Sequence, residues 1–430
     1  MQRRYEKLVA AHSNSTQALA AGVKALPDGT AAFAQTQALW RFLSNERITP
    51  ADLAEPLQAV ARTESANGCD HYALCVHDWS RINYHTHTGK RDRVQMTHAT
   101  DVGYELQSSL LLSDRDGLPL VAPVQNLVTS AGVWQSRAAG IQPDVLPHLD
   151  ELTERMEWLE NQGLNKPLVH IVDREADSVA HLRRWSQRGG CWLIRAKEGA
   201  RVGHEGRDGK LREVAAGLTF HREREVAYKG HLAQQWLAST EVWLTRKAKP
   251  AGRDAQGKRL KREAGEALRV RLVVSRIHDE AGDLVAQWVL LTNATSDVPD
   301  AQLALWYYYR WRIESYFKLL KEAGHQLESW EQETGQAVLK RLLIAGQACV
   351  LAWRLMRAEG EFAERTRSFL VRLSGRQMKR TRPVTAPALL DGLYKLFAML
   401  ETLHHYSLDD LEEFANFAFP RKPLPGRQHV

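Results

Sequence analysis

Leu305-Trp306-Tyr307-Tyr308-Tyr309-Arg310-Trp311-Arg312-Ile313-Glu314-Ser315-Tyr316-Phe317-Lys318-Leu319-Leu320-Lys321 contains neither Gly nor Pro, so nothing in it interrupts a helix. At about 100° per residue, Tyr307, Arg310, Glu314, Lys318 and Lys321 fall within roughly 80° of one another. Trp306, Ile313, Phe317 and Leu320 form a second stripe, rotated by about 90°. The spacing predicts one helix with an apolar edge that docks on a core. Its other edge sets one carboxylate between cations and a phenol. That edge reads in two ways: a solvated face laced with ion pairs at helical spacing, or a site where Glu314 ligates a divalent ion while Arg and Lys hold phosphates.

Upstream, two more acids stand where strands should end. Residues 71–78 read as a buried strand closing on Asp78, and residues 167–173 as another closing on Asp173. Between them, residues 104–112 and 118–128 read as strands joined by the turn Ser113-Asp114-Arg115-Asp116-Gly117. A helix over residues 145–162 carries Leu149, Leu152, Met156 and Leu159 at helical spacing. Residues 178–187 are a second helix and 191–195 a fifth strand. Three antiparallel strands, helix, strand, helix and strand make a mixed α/β sheet, and acids at neighbouring strand ends converge where such sheets place their sites. Taken singly, Asp78 also reads as an ordinary turn acid.

Tyr307, Arg310, Glu314 and Lys321, at relative positions 0, 3, 7 and 14, resemble the YREK signature of bacterial insertion-sequence transposases. Asp173-Arg174-Glu175-Ala176-Asp177 resembles the family's second-aspartate motif residue for residue. Asp78, with Ser80 and Tyr84 behind it, resembles the first. The resemblance spans roughly residues 35–350 and is strongest over 173–177 and 307–321. It implies a ribonuclease H-like fold, with a mixed five-stranded sheet, an inserted β-rich domain and helical N- and C-terminal regions. It also implies an Asp-Asp-Glu triad of Asp78, Asp173 and Glu314 that is catalytic and holds two Mg²⁺ or Mn²⁺ ions. The domains expected are a helical DNA-binding region over 1–68, the first part of the core over 69–198, the inserted β subdomain over 199–300, the core's second part with the glutamate helix over 301–358, and a helical region with possible dimer contacts over 359–430.

In the inserted segment, strands are expected near residues 225–228, 241–244, 268–277 and 286–291. Between two of them Arg246, Lys247 and Lys249 begin a basic loop continued by Arg253, Lys258, Arg259, Lys261 and Arg262. It reads as a phosphate-tracking hairpin or as a solvated tip. Trp288 occupies the place where the family stacks a tryptophan on a flipped base; a core tryptophan is the other reading. Arg195 and Lys197 match DNA-contacting positions near the site, or are surface cations. Tyr307, Arg310, Lys318 and Lys321 complete the expected DNA contacts.

At the N-terminal side, Thr49-Pro50-Ala51-Asp52 is a helix start, with Leu53, Leu57 and Val60 as its apolar face. At the other end an apolar helix over 337–357 precedes the cations Arg365, Arg367, Arg372, Arg376, Lys379, Arg380 and Arg382, and then helices over 389–403 and 408–417. The net charge of +7 over 430 residues fits an acidic polymer as partner. Four scattered cysteines without Cys-x-x-Cys spacing read as reduced thiols. His85, His87 and His98 read as a solvated loop rather than a zinc site. The charged start argues against a signal peptide, and no apolar run is long enough to span a membrane.

No Gly-rich phosphate loop and no Ser-His-Asp arrangement is present, so nucleotide-driven chemistry and acyl transfer find no support. The expected function is a DNA transposase, an endonuclease and strand transferase working by cut-and-paste. It would nick inverted-repeat ends, form a hairpin and join the freed end to target DNA. Its expected partners are inverted-repeat duplex and target DNA, within a homodimeric synaptic complex. Its expected place is the cytoplasm, at the nucleoid. The alternatives are a metal-dependent nuclease or resolvase with the same triad, and a DNA-binding relative without catalysis.

Overall fold

The computed structural model describes residues 37–249, 260–376 and 384–418. The chain divides into two compact units. One comprises Thr49–Lys318 and Glu333–Gly346. The other comprises Met1–Ile48, Leu319–Gln332 and Gln347–Val430.

The first unit opens with helix α1 (Pro50–Gly68). Its start is the expected one: Asp52 N–H donates to Thr49 Oγ1 at 3.2 Å, and Thr49 N–H donates to Asp52 Oδ2 at 2.8 Å. Such reciprocal caps contribute about 1 kcal/mol. Leu53 and Leu57 are buried beneath it.

The strands in order are β1 (Ala73–Asn83), β2 (Val94–Gln95), β3 (Val102–Ser113), β4 (Pro119–Thr129), β5 (Gly132–Gln135), β6 (Ile141–Gln142), β7 (Leu168–Val172) and β8 (Cys191–Arg195). After them come β9 (Arg201–His204), β10 (Arg207–Lys210), β11 (His221–Tyr228), β12 (His231–Leu244), β13 (Leu268–His278) and β14 (Leu284–Thr292). The central order is β4-β3-β1-β7-β8. β3 is antiparallel to both β1 and β4, whereas β7 runs parallel to β1 and β8 parallel to β7. That order is consistent with the ribonuclease H-like core expected. The Asp114 carboxylate, in the β3–β4 turn, accepts the N–H groups of Asp70, His71 and Tyr72 at 2.7–2.9 Å. It thereby fixes where the chain enters β1.

Helices α2 (His148–Glu160) and α3 (Val179–Gln187) lie between the strands in sequence. With α4 (Leu211–Ala216) they cover one sheet face, where Leu152, Met156, Leu182, Trp185, Trp192 and Ile194 share one core. The two indoles in that core satisfy their N–H groups, Trp185 on Thr153 at 2.8 Å and Trp192 on Ser186 at 2.9 Å. Such partners let large rings be buried without cost.

Three expectations need correction. First, the sheet does not stop at five strands. β14 pairs with β8, Leu290 opposite Arg195, and β13, β12 and β9 continue the same sheet. Second, β12 begins at His231, ten residues before residue 241. The Tyr228-Lys229-Gly230-His231 turn has Lys229 at φ 50° and Gly230 at φ 88°. Two positive φ values close a two-residue hairpin, but Lys-Gly is a weaker signal than Asn-Gly. Third, residues 305–321 are not one helix. They form α5 (Asp300–Tyr309), α6 (Trp311–Lys318) and a π turn over Leu319–Ala323. Around the first junction Arg310 N–H bonds Tyr307 O at 3.1 Å and Ile313 N–H bonds Arg310 O at 3.1 Å, each three residues apart. The Arg310 side chain is buried at this junction and meets two carboxylates.

In the second unit, Gly335–Arg357, whose C-terminal part belongs here, is helical as expected. Glu361–Ser374, Ala386–His405 and Leu408–Ala418 follow as helices. Arg365, Arg367 and Arg372 sit on the first of these three. Lys379, Arg380 and Arg382 lie outside the described residues, as do residues 1–36 and Arg253, Lys258 and Arg259 of the basic loop. No described helix is long and apolar enough to cross a membrane.

Candidate active site

The position of Asp78 follows from a change in strand pairing. β1 stays paired with β3 as far as Asn83, so Asp78 lies within the strand and not at its end. Its parallel pairing with β7, however, stops at Val76 opposite Ile171. β1 and β7 therefore part just before Asp78, and Asp173 follows β7 immediately. The fork between the two strands is what brings the aspartates near each other.

Asp173 caps the short 3-10 turn Arg174–Ala176, its Oδ1 accepting Glu175 N–H at 2.8 Å. Asp78 Oδ1 accepts the N–H of Trp79 at 2.9 Å. The Trp79 ring packs on His148 with centroids 4.4 Å apart, and His148 Nε2 lies 2.9 Å from Glu105 Oε1. The residue beside Asp78 is thus braced from α2 and β3.

Arg310 joins the rest. Its Nη1 donates to Asp78 Oδ2 at 3.0 Å and its Nη2 to Glu314 Oε1 at 3.3 Å. Given the fixed fork of a guanidinium, those two oxygens are at most roughly 9 Å apart. Arg310 and Tyr307 are buried, 7% and 4% exposed, which disfavours the reading of this edge as a solvated face. The Glu314 side chain is half exposed. Among the described residues the three carboxylates do not form a set whose oxygens all lie within 4.8 Å of one another.

Asp78 senses the other two acids. Burial, above all, lifts the Asp78 carboxyl to about 6, with Asp173 and Glu314 adding to the rise and Arg310 opposing it. Burial likewise lifts Tyr307 to about 12, against the pull of Arg310 and Arg195. Tyr307 therefore keeps its proton and can donate it in a hydrogen bond. The Asp78 shift fixes a pH dependence. A carboxyl raised in the folded chain favours the protonated form, so stability is full below its ordinary value of 3.8 and falls as pH rises through about 6. The gap corresponds to about 3 kcal/mol. In EDTA, Asp78→Asn is expected to gain roughly 1–3 kcal/mol at about pH 7.5 and almost nothing at about pH 4. Urea unfolding at both values checks this, and an equal gain at both would refute the burial account.

The donor set fits a divalent cation. Hard cations take carboxylate oxygens, and a cationic group already bridges two of these three acids. Asp78, Asp173 and Glu314 are the residues that could hold it.

The other expected contacts are placed as follows. Arg195 ends β8, and Arg174, Arg195 and Lys197 line an open cavity of about 470 Å³. Lys197 N–H donates to Asp177 Oδ2 at 2.8 Å. Arg246 is ion-paired with Asp177 Oδ1, so it braces the turn after Asp173, a role that charge counting does not reveal. Lys247 and Lys249 are exposed, and so is Lys318. Trp288 is half-buried on β14, edge-on to Tyr228 at 6.2 Å. Lys321 belongs to the second unit, 3.7 Å from Glu328.

No curated protein matches the chain. Residues 145–351, which include Asp173, Trp288 and Glu314, match the family model described as the transposase DDE domain, and that match supports an insertion-sequence DDE transposase acting on DNA.

Proposed function

We propose that the chain is a cut-and-paste transposase of the hairpin-forming group, with Asp78, Asp173 and Glu314 as its catalytic carboxylates. The observation that carries the reading is the Arg310 guanidinium shared by Asp78 and Glu314, with Asp173 in the same electrostatic field. Asp78, Asp173 and Glu314 would hold divalent cations, Mg²⁺ or Mn²⁺, which would supply Lewis acidity for an in-line phosphoryl transfer. The chain's own residues do the remaining work. Arg310, Arg195 and Lys318 neutralise phosphate oxygens near the scissile bond. Tyr307, a protonated phenol, donates a hydrogen bond. Trp288, half-exposed at the sheet surface, offers a face on which an extruded base stacks. Lys197, Lys247, Lys249 and Lys321 follow the duplex as phosphate contacts, and a homodimer pairs two ends before target joining.

The test uses purified protein and a linear duplex carrying the DNA that flanks its gene. With Mg²⁺ we expect a nick at the element's end, a hairpin on the same end, and joining to a second duplex. EDTA should remove all three products. Nicking without hairpin or joined product would favour a nuclease or resolvase. No cleavage, with end binding intact, would favour a DNA-binding relative.

A further inference from the structure

The sheet face opposite Asp78 carries a group that the triad chemistry does not use. Cys75 and His77 alternate with Val76 and Asp78 along β1, so their side chains point away from the carboxylates and toward α2. His170 on β7 stands directly opposite Cys75 in the parallel register, and Ser109 on β3 stands opposite His77. Cys75, His77 and His170 are essentially inaccessible, at 0%, 1% and 0% exposure. One ligand atom from each lies within 4.8 Å of the others.

Most buried histidines satisfy themselves on backbone or hydroxyl groups. Here two face each other, His77 Nε2 to His170 Nδ1, at 2.9 Å. Their far nitrogens are both engaged: His77 Nδ1 with Ser109 Oγ at 2.9 Å, and His170 Nε2 with Glu160 Oε1 at 3.3 Å. Metal-ligating imidazoles have this outer pattern, one nitrogen aimed inward and the other held by a hydroxyl or carboxylate. Ligand atoms around a tetrahedral ion are about 3.3–3.8 Å apart, given Zn–N and Zn–S distances near 2.0 and 2.3 Å. The facing nitrogens need separate by only a few tenths of an ångström to reach that spacing.

We propose that Cys75, His77 and His170 form a binding site for a thiophilic closed-shell cation, Zn²⁺ in the first instance, which clips β1 to β7. A thiolate with two imidazoles selects such an ion over Mg²⁺ or Mn²⁺, which prefer oxygen. The site is therefore chemically separate from the carboxylates. On binding, the ion replaces the thiol proton, which leaves to solvent, and His77 carries its remaining proton on Nδ1 toward Ser109. Because the site is closed, the ion enters as the chain folds. The clip lies one residue before Asp78 and three before Asp173, where it sets the spacing of the strands that carry them.

The test is full-length protein expressed with cobalt in place of zinc and purified anaerobically with excess Mg²⁺ to occupy oxygen sites. We expect about one equivalent of tightly held Co²⁺ and a near-ultraviolet thiolate-to-cobalt charge-transfer band. That band should vanish in Cys75→Ala. It should persist in Cys349→Ala, which removes a thiol lying 3.5 Å from His325 Nε2 in the other unit. X-ray absorption of zinc-loaded wild type needs no variant and should show one sulfur and two imidazole nitrogens. A wild-type protein without the band, or zinc bound without sulfur, overturns the proposal and leaves a hydrogen-bonded histidine pair.

Discussion

Glu314→Ala is expected to lower Mg²⁺-dependent cleavage of the element's end by about 1,000-fold or more, roughly 4 kcal/mol of barrier, while end binding changes little. Two competing explanations for such a loss can be bounded in advance. Unfolding is one. The Glu314 side chain is about half exposed, and the buried Arg310 keeps its bond to Asp78 when Glu314 is removed; losing one half-exposed pair should cost about 1 kcal/mol, too little to empty the folded state. Weakened DNA binding is the other. Removing a carboxylate beside Arg310 makes that surface more positive, so phosphate affinity should hold or rise. What remains is loss of the acid itself from the transferring centre. Gel-shift and cleavage assays on the same preparation separate the cases, with Ser315→Ala as the neighbouring control. A Glu314→Ala protein that cuts at the wild-type rate removes Glu314 from the mechanism, and with it the shared role assigned to Asp78 and Asp173.

The proposal for these three acids can be framed from the sequence because each sits in a short local motif whose strand or helix context can be read from a few neighbours. Burial of the strand before each aspartate and the apolar edge of the helix that carries Glu314 are visible in residue type alone. The parts that escaped depend on long-range geometry. Asp78 lies inside β1 because β3 continues to pair with it, from Ser108 opposite Asp78 to Gly103 opposite Asn83, and nothing between residues 78 and 83 announces where that partner will end. The helix break at Arg310 and the partner it meets escape for a related reason. Helical spacing places Arg310 on a charged edge, but only the fold shows that Asp78, 232 residues earlier, waits on the buried side. Arg246 reads as a cation for DNA because its loop is basic; its ion pair with Asp177 shows only in the fold. The Cys75-His77-His170 group lacks a contiguous metal motif. It is assembled by the Cys75–His170 register of two parallel strands, which sequence spacing does not encode.

The same dependence on distant packing makes Gly117 the most consequential residue outside the site. Gly117 closes the β3–β4 turn at φ 66°, and a Cβ there would lie 2.3 Å from the Tyr309 ring. Tyr309 immediately precedes Arg310. Gly117→Ala therefore meets two penalties. Left-handed backbone costs a Cβ-bearing residue about 1–2 kcal/mol, and pushing a packed ring aside costs about 1–3 kcal/mol more. Urea unfolding should show a loss of about 2–5 kcal/mol, the sum of these two effects. The two contributions can be separated. In a Tyr309→Ala background the collision is gone, so Gly117→Ala should cost only the backbone strain, about 1–2 kcal/mol. Equal costs in both backgrounds would mean that the turn and the Arg310 junction are not in contact. Where the protein remains folded, cleavage by Gly117→Ala should fall by more than the folded fraction does. Displacing Tyr309 should move the backbone that aims Arg310 at Asp78 and Glu314, so a turn that touches none of these three acids still controls how they are held.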